Sequence, residues 1–326
     1  MLAATTDHVF IDGGHTLDFT NKAFEAVELL GWDTAAAVLP ALVAQTAGAR
    51  RSEEGGAWRH PHDLAAVARD AERRLTAEGD VFENGPGLGD EEVAALAWRV
   101  LGVGPGSVSD GDPQAAVDAL LDALSAGLSA EQAGRAVALA AGLRITRFHV
   151  QNDHGDWDVV HHGFTYANAL HQALTRAPSV DLLRGAVHGV LKVYLDRFLN
   201  VPAARLVPVD DPDLADLQAC WDEQGQVDRA GAIVYSWLRA GGDPAAVTAA
   251  LGHALVSEDA EFHWFQTVEA AARQAHAWPD GSKPQALLLA GAARFLAAHT
   301  PTRRELPQLV RIATRLRRGE DLFEET

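Results

Sequence analysis

Residues 129–174 read SAEQAGRAVALAAGLRITRFHVQNDHGDWDVVHHGFTYANALHQAL, and the fold class follows from this stretch. Ser129 with Gln132 three residues on is a capping box, in which two side chains satisfy amides that a helix start leaves open. An alanine-rich run with no strand-like alternation follows and predicts a helix up to Arg147. Gly155 and the polar residues around it predict a break. Beyond the break, HHGFTYANALHQAL resumes helical character.

Upstream, Gly13 and Gly14 interrupt the chain before a helix predicted from His15 to Leu30, stopped by Gly31. Further helices are expected over 34–47, 63–77 and 90–101, with a polar loop over 49–64. Asp112 followed by Pro113 is a capped start, with proline where no amide donor is needed. Downstream, Ser179 and Asp243-Pro244 open further capped helices, separated by a linker over 202–213 that carries three prolines. Two more helices close the chain. The expected fold is all-α, a helical bundle or array of eleven to fourteen helices in one domain over 1–326. The loop GVGPGSVSDGDP offers a subdivision into 1–110 and 111–326.

The 326 residues are 48% apolar, enough for a sizeable core. A net charge of −18 argues against gripping phosphate backbones, so nucleic acid is not an expected partner. Cys220 is the single cysteine, which excludes an internal disulfide, a Cys-rich zinc site and an iron–sulfur cluster held by this chain alone. No apolar run reaches the ~18 residues of a membrane span. A cytoplasmic location and no membrane partner are the expectations.

An internal repeat runs through the chain. Ser129 to His149 and Asp243 to His263 are intervals of equal length, each opening on a cap and ending in Phe-His. Asn21, Asn168 and Glu269 each stand six residues after a histidine, at His15, His162 and His263. The two alignments choose different histidines in the central copy, which implies an insertion of roughly HVQNDHGDWDVVH there. The first copy then expects its cap upstream of Met1.

Five of the fourteen histidines fall within residues 147–174. Imidazole is the commonest protein ligand for iron, zinc and copper, and helical spacing converges such groups on one ion. On this basis the candidate metal ligands are His8, His15, His60, His62, His149, His154, His161, His162, His188 and His263. His149 and Asp153, four apart, face one way if the segment is helical. His188, His253 and His276 each stand alone on an apolar helix face, where a packed, hydrogen-bonded histidine is the commoner outcome. Asp153, Asp156 and Glu269 are candidate acid–base or orienting residues. Trp157, Phe164, Phe262 and Trp264 are expected to line a substrate cavity. Dinucleotide, phosphate-loop and nucleophile-elbow motifs are absent.

The pattern His161-His162-Gly163-Phe164-Thr165-Tyr166-Ala167-Asn168, with its upstream Phe-His and weaker versions at 15–21 and 263–269, resembles the questin oxidase-like proteins. That resemblance covers the central and C-terminal parts better than the first hundred residues. It implies a helical, His-rich protein and a Baeyer–Villiger-type oxidation of a polycyclic aromatic ketone. Asn168 departs from the family's glutamate, which survives only as Glu269, so a carboxylate role is not carried over to the central copy. Similar segments joined to Rieske-type domains imply a separate electron-transfer protein as partner.

The resulting expectation is a metal-dependent oxidoreductase, monooxygenase-like, with iron or another transition metal and a small hydrophobic substrate, its histidines sharing one pocket. Two other readings stand beside it. One is a metal-free acid–base enzyme, either a cofactor-independent oxygenase or an isomerase. The other is a helical-repeat scaffold for another protein, with histidines that merely pack.

Overall fold

A computed structural model describes residues 11–49, 62–102, 112–257, 259–300 and 305–320. Met1–Ala4, whose apolar, uncapped sequence reads as the inside of a helix, lies outside them, as do His8 and His60. Among the described residues 77% are helical, in 16 α-helices, and there is no strand. The chain forms two compact units, Met1–Ala203 and Ala204–Thr326.

The first unit contains α1 (His15–Leu30), α2 (Ala35–Val38), α3 (Ala41–Gly48), α4 (Leu64–Ala77), α5 (Gly79–Glu83), α6 (Asp90–Leu101), α7 (Pro113–Ser125), α8 (Ala130–Thr146), α9 (Asp156–Arg176) and α10 (Val180–Leu195). At its centre, α8 is buried on nearly every side, which its sequence permits because alanine and glycine dominate. A Cβ on Gly134 would stand 2.7 Å from the His171 Cα of α9, and one on Gly189 of α10 would stand 2.5 Å from Val137 Cγ1. Side chains at these two glycines would force the helices apart.

Helices α6, α9 and α10 all pack on α8. Arg144, buried in α8, donates to the Val193 carbonyl (2.9 Å), to Asn200 Oδ1 (3.0 Å) and to the Leu101 carbonyl (3.2 Å), so its charge is fully engaged inside the unit. The residue pair 110/111 falls inside this unit, where α6 before it and α7 after it pack together. The division between the units lies instead in the proline-bearing linker.

Predicted caps form where expected. Asp112, Ser129 and Ser179 each accept from an amide three residues on, and Gln132 completes the box at Ser129. Asp63 caps α4 in the same way. The helix predicted over 34–47 is instead two, α2 and α3, parted at Leu39-Pro40. Pro40 has no amide to donate and ends the first run.

Helix α1 lies along α9. His15 meets His162 at one end, and Glu28 meets Arg176 at the other. The two chains therefore advance in the same direction, over about 20 Å at 1.5 Å per residue.

The second unit contains α11 (Leu217–Asp222), α12 (Val227–Arg239), α13 (Pro244–Ser257), α14 (Phe262–His276), α15 (Lys283–His299) and α16 (Glu305–Arg317). Its buried helix is α15, against which α12, α13 and α14 pack. Asp243 accepts from the Ala245 amide at 2.8 Å, capping α13. The two intervals aligned by the repeat differ in burial: α8 is enclosed, whereas α13 buries only Val247, Leu251, Ala254 and Leu255. Among the described residues, no helix is long and apolar enough to cross a membrane.

Candidate metal centre

Gly13 and Gly14 adopt φ of 61° and 87°. In this left-handed region a side chain is costly, so the glycine pair seen in the sequence is what the turn into α1 requires. The turn makes His15 the first residue of α1. His162 sits two turns inside α9, and its Nε2 lies 3.1 Å from His15 Nε2, with the rings nearly perpendicular at 87°.

Beside this pair stands a second. A ring nitrogen of His161 and a carboxylate oxygen of Asp158, one turn earlier on α9, lie within 4.8 Å of each other. The His161 and His162 rings are 4.1 Å apart between centroids, and His161 is fully buried. Two pairs thus lie side by side where α1 begins and α9 completes its second turn: His15 with His162, and Asp158 with His161.

The other expected ligands are distributed as follows. Residues 147–155 are not helical, so His149 and Asp153 do not share a helix face. The helix fails here because Asn152, Asp153 and Gly155 favour turns. The segment is anchored instead by the Leu199 carbonyl, which accepts from the His149 amide (3.3 Å) and from Asn152 Nδ2 (2.8 Å). His154 and Asp153 are exposed in this turn. Asp156 opens α9, where a negative charge complements the helix dipole.

His62, ahead of α4, sets its ring edge-on to Tyr194 at 6.0 Å. His188 is buried in α10. In the second unit, His263 is half-buried at the start of α14, and Glu269 is engaged by Arg273 at 2.7 Å.

The aromatic residues expected to line a cavity are mostly core. Trp157 packs on Phe148 at 3.9 Å between ring centroids, Trp264 packs on His299 at 5.5 Å, and Phe164 is 2% exposed. Phe262 is 48% exposed.

Sequence reasoning passed over two polar pairs near this centre. Lys192 and Asp196 form a buried ion pair of 2.8 Å, lying against Gly163, where an alanine Cβ would meet Lys192 Cγ at 3.3 Å. Gly163 therefore admits the α10 pair close to the backbone next to His162. Burial pushes the Asp196 carboxyl up, opposed by the charge and hydrogen bond of Lys192 and by the charge of Arg144. His171 Nε2 meets Glu131 Oε1 at 2.7 Å, and this hydrogen bond holds the Glu131 carboxyl below its ordinary range against the opposing effect of burial. Asp158 was legible once Asp156 is taken as the helix start, since Asp158 and His161 then share a face.

No protein-family model, curated protein or solved structure matches this chain.

Proposed function

We propose that this chain is a metal-dependent oxidoreductase, with non-heme iron as its ion, that oxidises a small hydrophobic organic molecule using electrons from a separate protein. The observation that carries the reading is the 3.1 Å separation of His15 Nε2 and His162 Nε2. Two nitrogens at metal–imidazole distances of about 2.0–2.1 Å, subtending 90–109°, stand about 2.8–3.4 Å apart. The chemistry also fits: His15 and His162 offer two imidazoles, and beside them His161 and Asp158 add an imidazole and a carboxylate, the residue types that non-heme iron sites use.

Iron in such a site would supply Lewis acidity and one-electron chemistry toward dioxygen. The chain's own residues do the rest. His15 and His162 would hold the ion from two helices. The His161 ring packs on His162 and limits its rotation, and Asp158, at the exposed edge one turn away, stands within 4.8 Å of a His161 ring nitrogen. An apolar cleft along the same two helices would exclude water from a substrate. The chain carries one cysteine, so a separate electron carrier fits the composition. The resemblance to questin oxidase-like proteins points the same way.

Cobalt(II) substitution tests the site. Imidazole-shifted visible absorption in the wild type that is lost in His162→Ala supports the reading, and a spectrum equal to that of free aqueous cobalt counts against it. The same 3.1 Å separation also suits a ring N–H donating to a ring nitrogen. That favours, as a second reading, a metal-free acid–base pair, and turnover that survives exhaustive chelation would select it.

A further inference from the structure

Between α1 and the last turns of α9, within the first unit, lies a cleft of about 250 Å³. Leu17, Phe24 and Trp32 of the α1 side face Ala173 and Ala177 of the α9 side. Thr20, Asn21, Glu28 and Arg176 also border it, yet their polar atoms are engaged with one another or with the backbone. Thr20 Oγ1 donates to the Thr16 carbonyl (2.7 Å), Asn21 Nδ2 donates to Glu25 (2.8 Å), and Arg176 donates to both Glu28 oxygens and to Asn21 Oδ1 (3.1 Å). Arg176 also stacks its guanidinium 5.8 Å from the centre of the Phe24 ring, which fixes the polar end in place. What the cleft presents to a ligand is therefore apolar surface.

We infer that this cleft binds a compact, uncharged molecule built on a single aromatic ring. Its size sets the ring count, because pockets that enclose drug-sized ligands run to roughly 300–1,000 Å³. Aromatic character follows from Phe24 and Trp32, whose rings stand 6.4 Å apart and tilted by 57°, offering a face and an edge to a third ring. Neutrality follows from Glu28. A ligand carboxylate would have to displace it from Arg176, in a chain whose net charge is already −18. Trp32 is 63% exposed, an apolar ring left at the mouth.

The cleft and the histidine pair share the same two helices, but Leu17 and His15, two residues apart, point to different sides of α1. The assignment of this ligand as substrate rests on the proposed function; its binding does not.

The test is calorimetric titration of the full chain with 4-propylphenol and with 4-propylbenzoate, with and without chelator. Saturable binding of the phenol is expected, with the benzoate weaker by about tenfold or more, equivalent to about 1.4 kcal/mol. Ala173→Leu, which fills the cleft, should weaken phenol binding at least as much. Trp32→Ala, at an exposed position that leaves folding intact, should weaken it too. Glu28→Gln should narrow the gap between the two probes by freeing Arg176. No saturable phenol binding, equal affinity for both probes, or undiminished binding by Ala173→Leu and Trp32→Ala would overturn the inference. Binding that persists in chelator upholds it even where the metal reading fails, and absent binding in metal-loaded protein defeats it alone.

Discussion

Replacing Lys192 with methionine removes a buried charge while keeping most of the side chain's volume. Lys192 and Asp196 have side chains only 8% and 5% exposed, and their 2.8 Å bond is the main compensation for an ionised Asp196. Removing one partner of such a pair costs about 3–5 kcal/mol, because the other charge is left buried. For a unit of this size, Met1–Ala203, each kcal/mol lowers the melting temperature by about 2–4 °C, so a fall of roughly 6–20 °C is expected at pH 8.

The pH dependence has a definite sign. Burial holds the folded Asp196 carboxyl above its ordinary value, so its ionised form costs stability at neutral pH and the cost fades as pH falls through the folded value. Without Lys192 that value rises further, and the relief begins at higher pH. The wild type meanwhile loses its ion-pair attraction as Asp196 protonates. Melting followed by circular dichroism should therefore show the gap narrowing between pH 8 and pH 5. A gap under about 2 °C at pH 8, below what a single kcal/mol produces, or one that does not change with pH, would refute the reasoning.

Gly134→Ala sets a Cβ 2.7 Å from the His171 backbone, so overpacking of about 1–3 kcal/mol should outweigh alanine's helix-propensity gain of up to about 1 kcal/mol. A lowered urea midpoint would show this, and an unchanged midpoint would argue against so close an α8–α9 approach. Glu131→Gln removes a charged partner of His171; since the Glu131 side chain is 37% exposed, solvent screening reduces the expected loss to about 1 kcal/mol. The Glu131 carboxyl is depressed in the folded chain, so its contribution is present above the ordinary glutamate value of about 4.3 and lost as pH falls through the folded one. Denaturant titrations from pH 7 downward should show a difference at pH 7 that shrinks as the pH falls below the ordinary glutamate value.

The helix starts were legible because a cap is a local event: Asp112, Ser129 and Ser179 reach amides only three residues away. The glycine stop at Gly31 was readable for the same reason, its φ of 97° being glycine's territory. The short helix α5 was not legible, since its five residues are too few to show a period. The break over 147–155 was legible from Gly155 and its polar neighbours; only the conditional reading that His149 and Asp153 share a helix face fails there, because Asn152, Asp153 and Gly155 favour turns. The parallel seating of α1 on α9 joins residues 147 positions apart, and no local pattern encodes it. Comparing copies did single out His15 and His162 through their trailing asparagines, and these are the two histidines whose ring nitrogens lie 3.1 Å apart. The Lys192–Asp196 pair escaped notice because charged residues are expected at the surface, and only the packing of α10 against Gly163 buries them.

The central claim is that His15 and His162 hold a metal ion together. Elemental analysis after anaerobic reconstitution with ferrous iron and removal of excess metal tests it most directly, on the wild type and on His15→Ala/His162→Ala. The account predicts near-stoichiometric iron in the wild type and background iron in the double variant at unchanged helical content. Substoichiometric iron in the wild type, or full occupancy in the variant, would contradict it.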